Sequence, residues 1–203
     1  TSLNDINDIP KINYDEIVGY LNDGGYGVES YCQVEKYFFD EKDFYIRDEK
    51  NIPIVAVKLS DYNKLRSMLG YEKVTLKDNE FTTHWERMIE EDDAKKRIKE
   101  NSVIQVDDKN LNISDNSYYN ESIGEGIYNV YSDCIIVLPD KLCENLILAS
   151  TDLAVNTKND FSYEEATEFE YNYVPNWFKE NNKNLINKYN NEKNDISNYL
   201  ISP

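Results

Sequence analysis

The segment Asn51-Ile-Pro-Ile-Val-Ala-Val-Lys58 constrains this chain more than any other stretch. Its apolar residues are mostly β-branched and uninterrupted, so it predicts a strand. Ser60 then stands where a helix opens, Tyr62, Leu65, Met68 and Leu69 fall on one helical face, and Gly70 closes the turn. A strand running straight into a capped amphipathic helix must bury both apolar faces. We therefore expect residues 52–58 in the middle of a sheet with residues 60–69 packed on it, Tyr62, Leu65 and Leu69 being buried.

The rest of the chain alternates in the same way. Residues 13–22 have helical spacing at Tyr14, Ile17, Val18 and Leu21 and end at Asp23-Gly24-Gly25. Residues 26–39 are rich in β-formers, 79–85 read as extended, and 86–100 as a charged helix. Strands are expected at 102–106, at the end of 127–138 (the apolar run Cys134 to Leu138) and at 147–156. Pro139 suits the first turn of a helix through Leu146. Ser162 and Glu165 form a capping box, with Phe161 and Ala166 as its hydrophobic staple, and that helix should stop before Pro175. An amphipathic tail follows over 177–200. Strands and helices mix without βαβ regularity, which predicts an α+β fold: a mixed or antiparallel sheet with packed short helices, as one domain over 1–203 or two intimately packed lobes.

Composition removes several function classes. The chain has 22 basic and 39 acidic residues among 203, a formal net charge of −17. Such a surface repels nucleic-acid phosphates and anionic lipid headgroups, and it attracts cationic peptides and divalent metals. Cys32, Cys134 and Cys143 are too few and too scattered for a disulfide framework, and are expected as buried free thiols. No apolar run approaches the ~20 residues that cross a bilayer. The chain begins at Thr1 rather than Met and reads as a piece of a longer protein.

The motifs that carry chemistry fail one by one. Gly25-Tyr26-Gly27 and Gly124-Glu125-Gly126 lack the third glycine of a phosphate loop and read as tight turns. Asp108, Asn110, Asn112, Ser114 and Asn116 alternate like a calcium loop, but Ile113 stands at the glycine position and Tyr119 at the bidentate glutamate. A hairpin loop accounts for them better. His84 is the single histidine, beside Trp85 in an apparent strand, with no nucleophile motif nearby, so it reads as structural or surface. No catalytic residue, metal ligand or cofactor is assigned, and the chain is not expected to be an enzyme. Paired carboxylates such as Glu90-Glu91-Asp92-Asp93 read as a solvated helix face.

The segment Val57-Lys58-Leu59-Ser60-Asp61-Tyr62-Asn63-Lys64-Leu65-Arg66, with Leu69-Gly70-Tyr71-Glu72 and Val74-Thr75-Leu76-Lys77-Asp78-Asn79-Glu80 after it, resembles part of the large extracellular domain of bacitracin-efflux-type ABC transporter permeases, which have FtsX-like membrane regions. The match covers about 25 residues and is a strand–helix–strand packing unit, a marker of family rather than a site. The resemblance implies an extracellular domain between two membrane helices of a Gram-positive cell, serving resistance to peptide antibiotics that attack cell-wall lipid intermediates. It also implies ATP-hydrolysing subunits elsewhere in the complex and a membrane histidine kinase as a partner. The absence of a Gly-x-x-x-x-Gly-Lys loop agrees with that division of labour.

Two other readings stand beside it: a secreted hydrolase working through a carboxylate pair, and a structural spacer. The binding candidates are Glu164, Glu165, Glu168 and Glu170 with Tyr171 and Tyr173, because carboxylates between aromatic faces suit the ammonium groups of a cationic peptide. The competing reading of that stripe is a helix with core aromatics.

Overall fold

A computed structural model of the chain describes residues 14–39, 54–85, 89–123, 134–160 and 162–169. The fold is α+β, built on a mixed sheet of seven strands in the order β4-β5-β3-β6-β2-β1-β7. In chain order the elements are α1 (Tyr14–Asp23), β1 (Val28–Phe39), β2 (Ile54–Lys58), α2 (Leu59–Met68), β3 (Glu80–Trp85) and α3 (Glu91–Glu100). Then come β4 (Val103–Val106), β5 (Lys109–Tyr119), β6 (Cys134–Leu138), α4 (Asp140–Cys143), β7 (Leu148–Thr157) and α5 (Tyr163–Glu168). The chain divides into two compact units: its two ends, through Val28 and from Thr157 onward, and the stretch Glu29–Asn156 that carries nearly all of the sheet. Among the described residues no helix is long and apolar enough to cross a membrane.

The expected core unit forms. β2 runs parallel to β6 and antiparallel to β1, so it lies inside the sheet, next to the middle strand β6. Every residue of β6 is buried, as a continuous apolar run requires when both faces of a strand are covered. One face packs Val55, Val57, Ile135 and Val137 with Tyr62 and Leu65 of α2. The other packs Phe81, Trp85, Ile136 and Leu138 with Ala94 and Ile98 of α3 and Leu142 and Cys143 of α4. A fully buried aliphatic side chain contributes about 1.5–3 kcal/mol, against at most about 1 for an exposed ion pair, so these layers and not the charged surface hold the sheet.

Four expectations are corrected. Ser60 does not cap α2; Lys58 is the N-cap residue and its side chain makes no capping bond, and the carboxylate of Asp140 accepts the Ser60 backbone N–H at 3.0 Å. Leu69 is 42% exposed: the helix ends at Met68 and Leu69 is its C-cap residue. Pro139 precedes rather than opens its helix, and α4 is four residues long instead of reaching Leu146. Residues 108–116 are mostly strand β5, and only Asp107 and Asp108 turn the hairpin. The alternating polar side chains there come from the two-residue period of a strand rather than a loop that gathers ligands.

The charged helix is also shorter than read from the sequence: α3 starts at Glu91, where Glu91, Asp92 and Asp93 face the positive end of the helix and Arg97 and Lys99 the negative end. Gly70 does close α2: it has φ +81°, Gly70 N–H bonds Ser67 O and Tyr71 N–H bonds Arg66 O, the paired bonds of a Schellman turn. Cys32, Cys134 and Cys143 are buried thiols that form no disulfide.

Candidate functional site

β2 and β6 run parallel and each ends in a helix start, α2 and α4, so their carboxyl ends open on the same side of the sheet. In open sheets such ends are where clefts form. Here a polar cleft of about 620 Å³ is lined by Tyr31, Glu35, Lys58, Ser60, Asp61, Lys64, Asp140 and Glu144, with Cys32 and Gln33 completing the wall. A second cavity of about 620 Å³ shares Tyr31, Cys32, Ser60 and Lys64 with it and continues along α2 past Asn63, Ser67 and Met68 to Lys73. The two make one groove between β1 and α2.

The groups in the cleft are fixed by their partners. Lys58 Nζ and the Tyr37 hydroxyl both donate to Glu35 Oε2. Burial works against the charge of Glu35, but those two bonds outweigh it and hold its carboxyl below the usual range. Burial likewise opposes the Lys58 ammonium, and Glu35 raises it. Burial, with the bond to Glu35, pushes the Tyr37 hydroxyl up to about 12. Lys64 pairs with Asp61 at 3.0 Å, and the Glu35 backbone N–H reaches the other Asp61 oxygen at 3.4 Å. Each lysine of this half is thus neutralised by a carboxylate. Among the described residues no cation pairs with Asp140 or Glu144. The first half of the groove is therefore net acidic. The second half carries Lys64 and Lys73 and no carboxylate.

A second constellation explains His84. It is fully buried on β3, with Nδ1 2.5 Å from the Tyr62 hydroxyl and Nε2 2.9 Å from the Glu121 carbonyl. Arg66 places Nη1 3.2 Å from that hydroxyl and both terminal nitrogens 2.9–3.0 Å from the Glu121 carboxylate. The roles follow from which atoms can donate. A carbonyl only accepts, so Nε2 carries the proton. Arginine only donates, so the Tyr62 oxygen accepts from it and donates its own O–H to Nδ1. Arg66, Tyr62, His84 and Glu121 close a ring, over which Tyr71 and Tyr119 lay their faces on the guanidinium at 5.5 and 4.8 Å. Burial pushes His84 down to about 4. Of the two places the sequence left open for His84, structural or surface, it takes the buried one.

The binding residues chosen from sequence fall differently. Glu164, Glu165 and Glu168 lie exposed on the six-residue α5. Glu165 is the reciprocal member of the capping box: its Oε2 accepts the Ser162 N–H at 2.8 Å, and the Ser162 hydroxyl accepts the Glu165 N–H at 3.2 Å. Those Ser162 bonds hold its carboxyl below the usual range. Glu170, Tyr171 and Tyr173 lie outside the described residues, as do Phe161, residues 124–130 and the 177–200 tail. The sequence reading does not reach the groove residues, although Lys58, Asp61 and Lys64 lie inside the strand–helix–strand packing segment. The usable signal was the charged pair Asp61 and Lys64, three residues apart and flanking the apolar stripe of Tyr62 and Leu65. No protein-family model and no curated protein matches the chain.

Proposed function

We propose that this chain is the extracellular sensing and coupling domain of a bacitracin-efflux-type ABC transporter permease, a binding module for peptide resistance rather than an enzyme. The observation that carries the reading is the segment Val57 to Glu80, which resembles that family and folds as one unit, strand β2 into α2, the Gly70 turn and then β3. Two further features support it. The −17 charge favours approach of cationic peptides over long range. The cleft carboxylate Glu35 is held ionised by Lys58, which suits charge pairing, whereas a glycosidase-type general acid needs a raised pKa.

In this reading the chain works with the membrane part of the permease, its separate ATP-binding subunits and a membrane histidine kinase, on the outer face of the cell. Reading the coding sequence on both sides of residues 1–203 tests it. Apolar spans of ~20 residues flanking the chain are expected. A signal peptide before it and a stop codon after it would point to the secreted alternative. The sequence-derived acidic patch is tested separately by titrating a cationic peptide antibiotic at low and high salt. If Glu164 and Glu168 contribute, binding weakens with salt and with Glu→Gln changes there.

A further inference from the structure

The groove between β1 and α2 is electrically lopsided. Its first half holds Glu35, Asp61, Asp140 and Glu144 against Lys58 and Lys64, and its continuation holds Lys64 and Lys73 with no acid. Both ammoniums of the first half are already paired, so the unbalanced charge resides on Asp140 and Glu144. Asp140 is steadied by the Ser60 N–H, which leaves Glu144, exposed at the rim, as the freer carboxylate. Tyr31, 43% exposed on β1, offers an aromatic face in the wall shared by both halves.

We infer that this groove binds a short zwitterionic peptide, its ammonium end beside Asp140 and Glu144 and its carboxylate end toward Lys73. Charge complementarity dictates the orientation: the reverse placement sets carboxylate against carboxylate and ammonium against ammonium. Tyr31 packs against the middle of the ligand. The inference rests on the reading of the chain as a ligand-binding module, but it needs neither the permease nor its membrane.

The test uses the whole 203-residue chain and the tetrapeptide Lys-Ala-Ala-Ala with free ends, followed by calorimetry or by NMR shift of the groove amides. The C-terminal amide of the same peptide is the deciding probe. Amidation removes a negative charge, so diffuse attraction to a −17 surface would strengthen binding. The groove requires the opposite: the amide should bind about two- to five-fold more weakly, the range of one exposed ion pair.

Lys73→Gln should weaken the free-acid peptide by a similar factor and leave the amide unchanged. Glu144→Gln should weaken both peptides. Both residues are exposed, so these variants keep the fold, which circular dichroism checks. Glu164→Gln, an equal charge change on α5, should alter neither. Equal or tighter binding of the amide, loss of affinity on Glu164→Gln as large as on Glu144→Gln, or no binding at millimolar peptide would each overturn the proposal. So would displacement of the peptide by Mg²⁺ or spermidine at equal concentration, which would make the site one for simple cations. Absence of flanking membrane spans would sink the permease reading and leave these outcomes untouched.

Discussion

His84 should make this fold acid-labile as the pH falls from about 6.5 toward 4. Its imidazole is buried and neutral, with its folded pKa near 4 against 6.5 for the ordinary group. Protonating it would put a second cation beside Arg66. It would also aim an Nδ1–H at a Tyr62 oxygen that must then give up the bond it donates. Because the folded value is depressed, the unfolded chain binds the proton first as the pH falls. The stability contributed is therefore whole above 6.5 and is lost progressively down to about 4.

At about 1.36 kcal/mol per pH unit, the full loss is roughly 3 kcal/mol, of which about 2 falls between pH 7 and pH 5. The depressed carboxylates Glu35 and Glu121 lose their contributions only below their ordinary value of 4.5, so they leave that window clear. Urea unfolding at pH 7, 6 and 5, read by tryptophan fluorescence, gives the slope. The single histidine gives an unambiguous imidazole resonance for a parallel NMR titration. In His84→Gln the slope between pH 7 and 5 should vanish. A wild-type stability that is flat from pH 7 to 5, or an imidazole that titrates near 6.5 in the folded protein, would refute the reasoning.

Three further outcomes follow from the packing. Ile136→Ala, at a fully buried position of the middle strand, should cost about 2–5 kcal/mol in urea denaturation, since both faces of β6 are covered and the void cannot collapse easily. Gly70→Ala should cost about 1–2 kcal/mol, because φ +81° is strained for any residue with a Cβ; open space around the glycine rules out a steric clash as the cause, so Gly70→Ala and Gly70→Asn should differ, with Asn milder. Ser162→Ala should remove about 1 kcal/mol from α5 alone, seen as faster hydrogen exchange of residues 163–168 with little change in global unfolding.

The parts legible in the sequence are those set by local chemistry. The Ser162–Glu165 box, the Gly70 stop and the buried run Cys134–Leu138 each follow from residues within a few positions of one another. The Ser60 miss is tertiary. Ser60 looked like a cap because nothing in its own neighbourhood reveals that Asp140, eighty residues on, occupies the start of α2. The apparent calcium loop arose because a strand and a loop of alternating ligands share the same period of two. What makes β5 irregular is a bulge opposite Phe81 and Thr83, whose carbonyls at Asn116 and Ser117 are met by the Thr82 and Thr83 hydroxyls.

The same logic explains why the groove escaped a reading of the sequence. Its charged residues come from three places: Glu35 from β1, Lys58, Asp61 and Lys64 from the β2–α2 passage, Asp140 and Glu144 from beyond β6. Only the parallel pairing of β2 with β6 brings the last two sets together, and parallel pairing joins strands distant in sequence without a local signature. In a chain with 39 acids, no carboxylate stands out until topology selects a few of them. The α2 segment then serves twice: Tyr62 and Leu65 fasten it to the sheet on one side, while Asp61 and Lys64, on the same two turns, face the groove. A motif conspicuous for packing is thereby also the wall of the cleft, since the rigid core behind it keeps those charged groups in register with Asp140 and Glu144.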